Sequence, residues 1–205
     1  ACTSHTSTNH SSQRCKFFLS INFCGRSFQM RNKLIKTQQL KSLNLLVTSD
    51  LKIQLCDFGL SRTGTADNTH TLQKLRGTYA YVPPELLDRK TFTDRSDIYS
   101  LGIIFWEIIN RLITGRYTRP YEEFNNTIRM DYLILTNASQ GIRPTVPSSC
   151  PTAVSKIIHM CWAGNQESRP NGQALLVLLE ELLDLYHKNP KTFDACLKLK
   201  SPAMF

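Results

Sequence analysis

The sequence predicts a mainly α, α+β chain: a helical bundle that carries one short β-hairpin. Three stretches predict it. Ile98–Leu112 is apolar on almost every side and contains a single acid, Glu107, so a helix there must be buried on most of its faces. Leu175, Leu178, Leu179, Leu182 and Leu185 recur at helical spacing behind Asn171, a residue suited to capping a helix start. Leu45-Leu46-Val47 and Leu51–Cys56 are short apolar runs on either side of a Ser49-Asp50 turn, and the pair reads as a hairpin.

Taken in order, residues 1–13 are rich in Ser, Thr, His and Asn and read as disordered. Residues 14–39 mix aromatic and basic side chains with no sustained period of 2 or 3.6, so they receive no element. The composition changes at Leu40, and the hairpin follows. Leu86-Leu87-Asp88 suggests one helical turn, and Thr93-Asp94-Arg95-Ser96 supplies helix-start residues ahead of the apolar helix. Residues 113–125 read as a polar loop, Thr127–Leu135 as a helix, and Gly141–Pro147 as its break. A helix at Thr152–Trp162, a turn at Ala163–Pro170 and the Leu-striped helix complete the bundle. Lys188–Phe205 reads as a basic tail with a loose end. The organisation is therefore an unassigned basic arm (1–39), a folded lobe (40–187) and a basic tail (188–205).

A chain of 205 residues that is 41% hydrophobic can bury a real core. Its net charge of +9 is concentrated at one end, since residues 1–49 hold seven Lys/Arg and no acid. Aromatic and basic residues do not interleave there in a readable pattern, so the arm reads as solvated and no specific nucleic-acid partner is expected. Phe17–Cys24 is too short to cross a bilayer, and no membrane span is expected. Seven scattered cysteines lack metal-ligand spacing. Cys56, Cys150 and Cys161 sit in apolar or helical contexts, which points to buried free thiols in a reducing, cytoplasmic setting.

The chemistry gathers between Asp57 and Glu85. The strand Leu51–Cys56 ends at Asp57, followed by Phe58 and Gly59. A carboxylate at a strand end, next to a flexible glycine, can hold a divalent cation against phosphate oxygens. A polar, Thr-rich segment follows and closes with Gly77-Thr78-Tyr79-Ala80-Tyr81-Val82-Pro83-Pro84-Glu85. Asp57-Phe58-Gly59 resembles the metal-binding DFG motif of the protein kinase family, and Pro83-Pro84-Glu85 resembles the A-P-E that ends its activation loop. Ser96-Asp97-Ile98-Tyr99-Ser100-Leu101-Gly102 is similar to the family's central helix. Together with Cys161-Trp162 and Arg169-Pro170 it looks most like the tyrosine-kinase-like group of Ser/Thr kinases.

The resemblance implies a kinase C-terminal lobe over residues 40–187, with ATP and Mg2+ as nucleotide and metal and a protein as substrate or partner. It implies that Asn44 and Asp57 share one metal site and that Lys41 contacts phosphate. Lys41 and Thr78, in Gly-Thr-x-x-Tyr, match the Ser/Thr-directed form. Thr69 and Thr71 become candidate activation-loop phosphorylation sites. Glu85 and Arg169 resemble the pair that ties the end of that loop to the last helices, and Asp97 the acid that orients the catalytic loop.

Upstream, the pattern departs from the family. The His-Arg-Asp-Leu positions hold Thr37-Gln38-Gln39-Leu40, so Gln39 stands at the catalytic-base position. An amide cannot usefully accept a proton at neutral pH. Residues 1–39 contain no Gly-x-Gly-x-x-Gly loop, no Val-Ala-Ile-Lys strand and no Glu to pair with such a Lys. The sequence thus reads as an incomplete kinase domain without its N-terminal lobe, inactive as written. The alternative is a non-catalytic, pseudokinase-like interaction module.

Overall fold

A computed structural model describes residues 40–50, 53–56, 79–87, 92–124 and 132–196. Strand β1 (Leu45–Val47) pairs antiparallel with β2 (Ile53–Leu55), in the register Leu45–Leu55, Leu46–Gln54 and Val47–Ile53. Leu45, Ile53 and Leu55 pack against the core, whereas Leu46 and Val47 are exposed. Alternation along a strand turns Leu46, and Gln54 opposite it, away from the core, while Val47 is exposed at the end of β1.

Helix α1 (Asp94–Thr114) runs through the middle of the fold. Thr93 and Ser96 form a reciprocal cap: the Thr93 hydroxyl accepts from the Arg95 N–H, and the Thr93 N–H donates to Ser96 Oγ at 3.1 Å. Gly115 ends the helix in the left-handed region, at φ 81, with its N–H on the Arg111 carbonyl. Buried side chains lie on all sides of α1, including Ile98, Ile103, Ile104, Phe105, Trp106 and Ile109. The expected burial on most faces is therefore observed.

Four further helices surround it: α2 (Tyr132–Ser139), α3 (Thr152–Cys161), α4 (Gly172–Lys188) and α5 (Pro190–Asp194). Gly102 of α1 lies directly against the end of α3. A Cβ there would stand 2.9 Å from Cys161 Cβ and 3.1 Å from the Trp162 nitrogen, so only glycine permits this approach. Asn171 caps α4 as expected, accepting from the Ala174 N–H at 2.8 Å.

Five expectations are corrected. Helix α2 extends through Ser139 rather than stopping at Leu135, because Ala138 continues the buried face and Gly141, at φ 86, provides the break; residues 127–131 lie outside the described residues. The loop after α1 is not simply polar: Tyr121 is 2% exposed and precedes a 3-10 turn at Glu122–Phe124. The short turn near the Pro-Pro-Glu segment forms at Pro84–Leu86, two residues earlier than the expected Leu86–Asp88, because Pro84 is already set for the first helical position; Asp88 lies outside the described residues. Leu185 does not join the buried stripe and is 48% exposed, whereas Leu175 and Leu182 are buried. Residues 190–194, read as tail, form α5, whose Phe193 packs on the core and meets the Tyr186 ring edge-on at 5.6 Å. The last turn of α4 is covered through Tyr186, on a different side from Leu185.

Cys56, Cys150, Cys161 and Cys196 are free, and Cys161 is buried. Among the described residues, no helix is long and apolar enough to cross a membrane.

Candidate functional site

Two polar clusters are built against α1, one at its N-terminal end and one halfway along. The first is centred on Arg169, which follows a 3-10 turn at Gln166–Ser168 and is 1% exposed. Its guanidinium forms a two-pronged pair with Glu85: Nη1 donates to Oε1 at 2.8 Å and Nη2 to Oε2 at 2.7 Å. The remaining donors reach backbone carbonyls. Nε donates to Ala163 at 2.8 Å, Nη1 also to Arg95 at 3.1 Å, and Nη2 also to Gly164 at 3.4 Å. Ser96 Oγ adds a third donor to Glu85, at 3.0 Å. A buried ion pair is tolerable only when its spare donors and lone pairs are met in this way.

Tyr99 packs between two cations. The Arg169 and Arg143 guanidiniums lie 5.0 and 5.2 Å from its ring centroid. Burial pushes its phenol above the usual tyrosine range, and its hydroxyl pairs with that of Tyr121 at 3.3 Å. Arg143 is itself held by the carbonyls of Trp162, Ala138 and Ile142. Tyr99, Tyr121 and Arg143 form a contact no sequence spacing announces, because they come from three separate elements.

The second cluster begins at the 3-10 turn Ser42–Asn44, just before β1. The Asn44 N–H closes the turn on the Lys41 carbonyl at 3.0 Å, and Asn44 is buried. From the end of β2, the Cys56 N–H and Sγ donate to the Asn44 carbonyl at 2.8 and 3.2 Å. Asn44 is thus bonded to the residue that precedes Asp57. Lys41 is half-buried, as is Asp97 in the first turn of α1, where an acid also complements the helix dipole.

Ser42, between Lys41 and Asn44, is tied inward. Its hydroxyl donates to Glu107 Oε1 at 3.2 Å and shares a hydrogen bond with the Tyr81 hydroxyl at 3.0 Å. The Tyr117 hydroxyl donates to the same Oε1 at 3.0 Å. Burial raises the Glu107 carboxyl above its usual range, partly offset by the neighbouring hydroxyls of Tyr81, Tyr117 and Ser42; burial first, and then the Glu107 charge, raises the Tyr117 phenol to about 12. Glu107 Oε2 is the one buried side-chain N or O atom without a hydrogen-bond partner among the described residues. The sequence marks Glu107 only as a lone acid in an apolar helix; that isolation is the signal that could have flagged it.

Of the residues singled out in the sequence, the structure joins Glu85 to Arg169 and Lys41 to Asn44. It places Asp97 on the α1 N-terminus. Gln39, Asp57, Thr69, Thr71 and Thr78 lie outside the described residues.

The sequence family described as protein tyrosine and serine/threonine kinase matches residues 6–179. The chain belongs to the protein kinase family. The match begins ahead of the Leu40 boundary drawn from the motifs. Three protein kinases of Dictyostelium discoideum are similar to this one. Stress-activated protein kinase alpha is 41% identical over 157 residues, covering 77% of this chain and 25% of that protein. A probable serine/threonine-protein kinase is 41% identical over 169 residues, covering 82% of the chain and 20% of the relative. Another is 42% identical over 159 residues, covering 77% and 16%. The kinase chain therefore spans a quarter or less of the length of these curated relatives.

Proposed function

We propose that this chain is the C-terminal-lobe part of a Ser/Thr-directed protein kinase of the tyrosine-kinase-like group. The reaction of the whole protein would be ATP-dependent phosphorylation of Ser or Thr on a protein substrate. The observation that carries this reading is the pair of bonds from Cys56 to the Asn44 carbonyl, which brings the backbone leading into Asp57 against Asn44. An amide oxygen and a carboxylate are hard oxygen donors of the kind that suit Mg2+, so the residue types fit that ion. Asn44 and Asp57 would hold it, and Lys41 would face the phosphates. Bound Mg2+ would supply charge neutralisation on the phosphate oxygens.

In this reading Glu85 and Arg169 anchor the end of the activation loop, Thr69 and Thr71 are modification sites of that same loop, with Thr78 on its substrate side, and Asp97 orients the catalytic loop. Gln39 occupies the position of the proton acceptor and cannot serve as one. We therefore assign the chain as it stands nucleotide binding without turnover. Gln39 equally favours a second reading, a pseudokinase-like module whose partner is another protein. The free, buried Cys161 suits a reducing compartment.

Calorimetric titration of the chain with Mg2+–ATP tests the assignment. Binding should weaken by about tenfold or more in Asp57→Ala and Asn44→Ala, the size expected when a charge-assisted contact is lost. Equal binding in all three proteins removes the metal-site reading. Phosphate transfer to a Ser/Thr peptide by the unaltered chain would refute the absence of turnover.

A further inference from the structure

We infer that Glu107 is a positioning residue for the turn that carries Lys41 and Asn44. One carboxyl oxygen, Oε1, collects donors from two segments far apart in sequence: Ser42, ahead of β1, and Tyr117, beyond the C-terminus of α1. Through Ser42 it reaches a third, because the Tyr81 hydroxyl bonds the same Ser42 Oγ. Tyr81 is itself fixed to α1, since Ser100 Oγ donates to its carbonyl at 2.8 Å. Ser42 is thus held between a rigid buried helix and the turn Tyr79–Tyr81, which leads into Glu85.

Stability alone does not account for an acid at this position. Glu107 is 4% exposed, on a helix whose Ile103, Ile104 and Trp106 are also buried, and its second oxygen lacks a partner among the described residues. A buried carboxyl with one oxygen unmet carries a desolvation cost that an apolar side chain of similar size would not. What the acid provides, and an apolar residue cannot, is an acceptor at one fixed place. That acceptor aims the Ser42 hydroxyl, and the backbone on either side of Ser42 carries Lys41 and Asn44. The inference rests on the reading of Lys41 and Asn44 as phosphate- and metal-contacting groups. It adds that their geometry is set from inside α1, by a group that touches neither ligand.

Amide hydrogen exchange on the whole chain tests it at two sites: the Asn44 N–H, bonded to Lys41, and the Cys56 N–H, bonded to Asn44. Glu107→Leu and Ser42→Ala should each speed exchange there by about tenfold, as expected when a local hydrogen bond is lost from a segment that opens on its own. Glu107→Gln, which keeps an amide oxygen as acceptor, should restore exchange to near the unaltered rate. Should Glu107→Leu fail to fold, Ser42→Ala carries the comparison, because it leaves the helix intact. The inference is overturned if the Asn44 and Cys56 amides do not change. It is equally overturned if those of Ile103–Phe105 accelerate by the same factor, which marks a purely structural role. A Mg2+–ATP titration of the unaltered chain separates the two claims. No binding there removes the metal-site reading but not the exchange result, whereas binding with unchanged exchange removes only the role of Glu107.

Discussion

The Arg169–Glu85 pair offers the most direct test of the fold, by a double-mutant cycle of Arg169→Ala, Glu85→Ala and both together. Arg169→Ala removes both prongs of the ion pair and the donors to the Ala163, Gly164 and Arg95 carbonyls. It leaves the buried Glu85 carboxylate with only Ser96 as a donor among these contacts. Stranding one member of a buried pair typically costs about 3–5 kcal/mol. For a domain of this size that corresponds to a fall in Tm of roughly 6–20 °C. Glu85→Ala strands the guanidinium in the same way. The double substitution should cost less than the two single losses together, by about 0.5–3 kcal/mol, because the second change removes the charge the first exposed. Urea unfolding followed by tryptophan fluorescence is a suitable assay, since Trp106 and Trp162 are both buried and on different elements. A loss below about 1 kcal/mol for Arg169→Ala, typical of an exposed pair, would refute the reasoning, as would strictly additive effects.

Two further outcomes follow from α1. Gly102→Ala forces a methyl to within 2.9 Å of Cys161 Cβ and should destabilise by about 1–3 kcal/mol; an unchanged Tm would contradict the close contact of α1 with α3. Glu107 has a carboxyl raised above its usual value near 4.5, so its neutral form is favoured by folding. Its contribution is fully present below that value and is lost as pH rises through the folded pKa, by at most about 1.4 kcal/mol per pH unit. Glu107→Gln does not titrate, so it should gain stability relative to the unaltered chain as pH rises from 4.5 towards neutrality. The phenols facing Glu107, Tyr81 and Tyr117, are both raised and stay neutral across that window. A stability difference flat with pH in paired urea titrations would contradict the burial of the acid.

Helices defined by local pattern were legible in the sequence. Thr93 and Ser96 cap α1, and Asn171 caps α4, through bonds spanning three residues or fewer, so their residue types suffice to place both starts. The β1–β2 hairpin is likewise closed by neighbours. Less legible were features whose pattern is interrupted or too short to show a period. Polar Thr136 and Asn137 hid the continuation of α2, and α5 has only five residues. Tyr121, in a segment read as polar, is buried because Tyr99 and its two cations provide a place for it.

The candidate site divides along the same line. Sequence by itself determined the family, through motif residues in a fixed order, and it named Lys41, Asn44, Glu85, Asp97 and Arg169. Tertiary structure alone decided which side chains meet Glu85, Arg169 and the Ser42 hydroxyl between Lys41 and Asn44. Glu107 receives Ser42 from 65 positions away, and Arg169 receives Glu85 from 84. The physical reason is that the 3.6-residue period and the caps are satisfied within a turn or two of the chain. A buried acid or guanidinium instead requires partners from whichever segments the fold brings to it, and no local pattern encodes them.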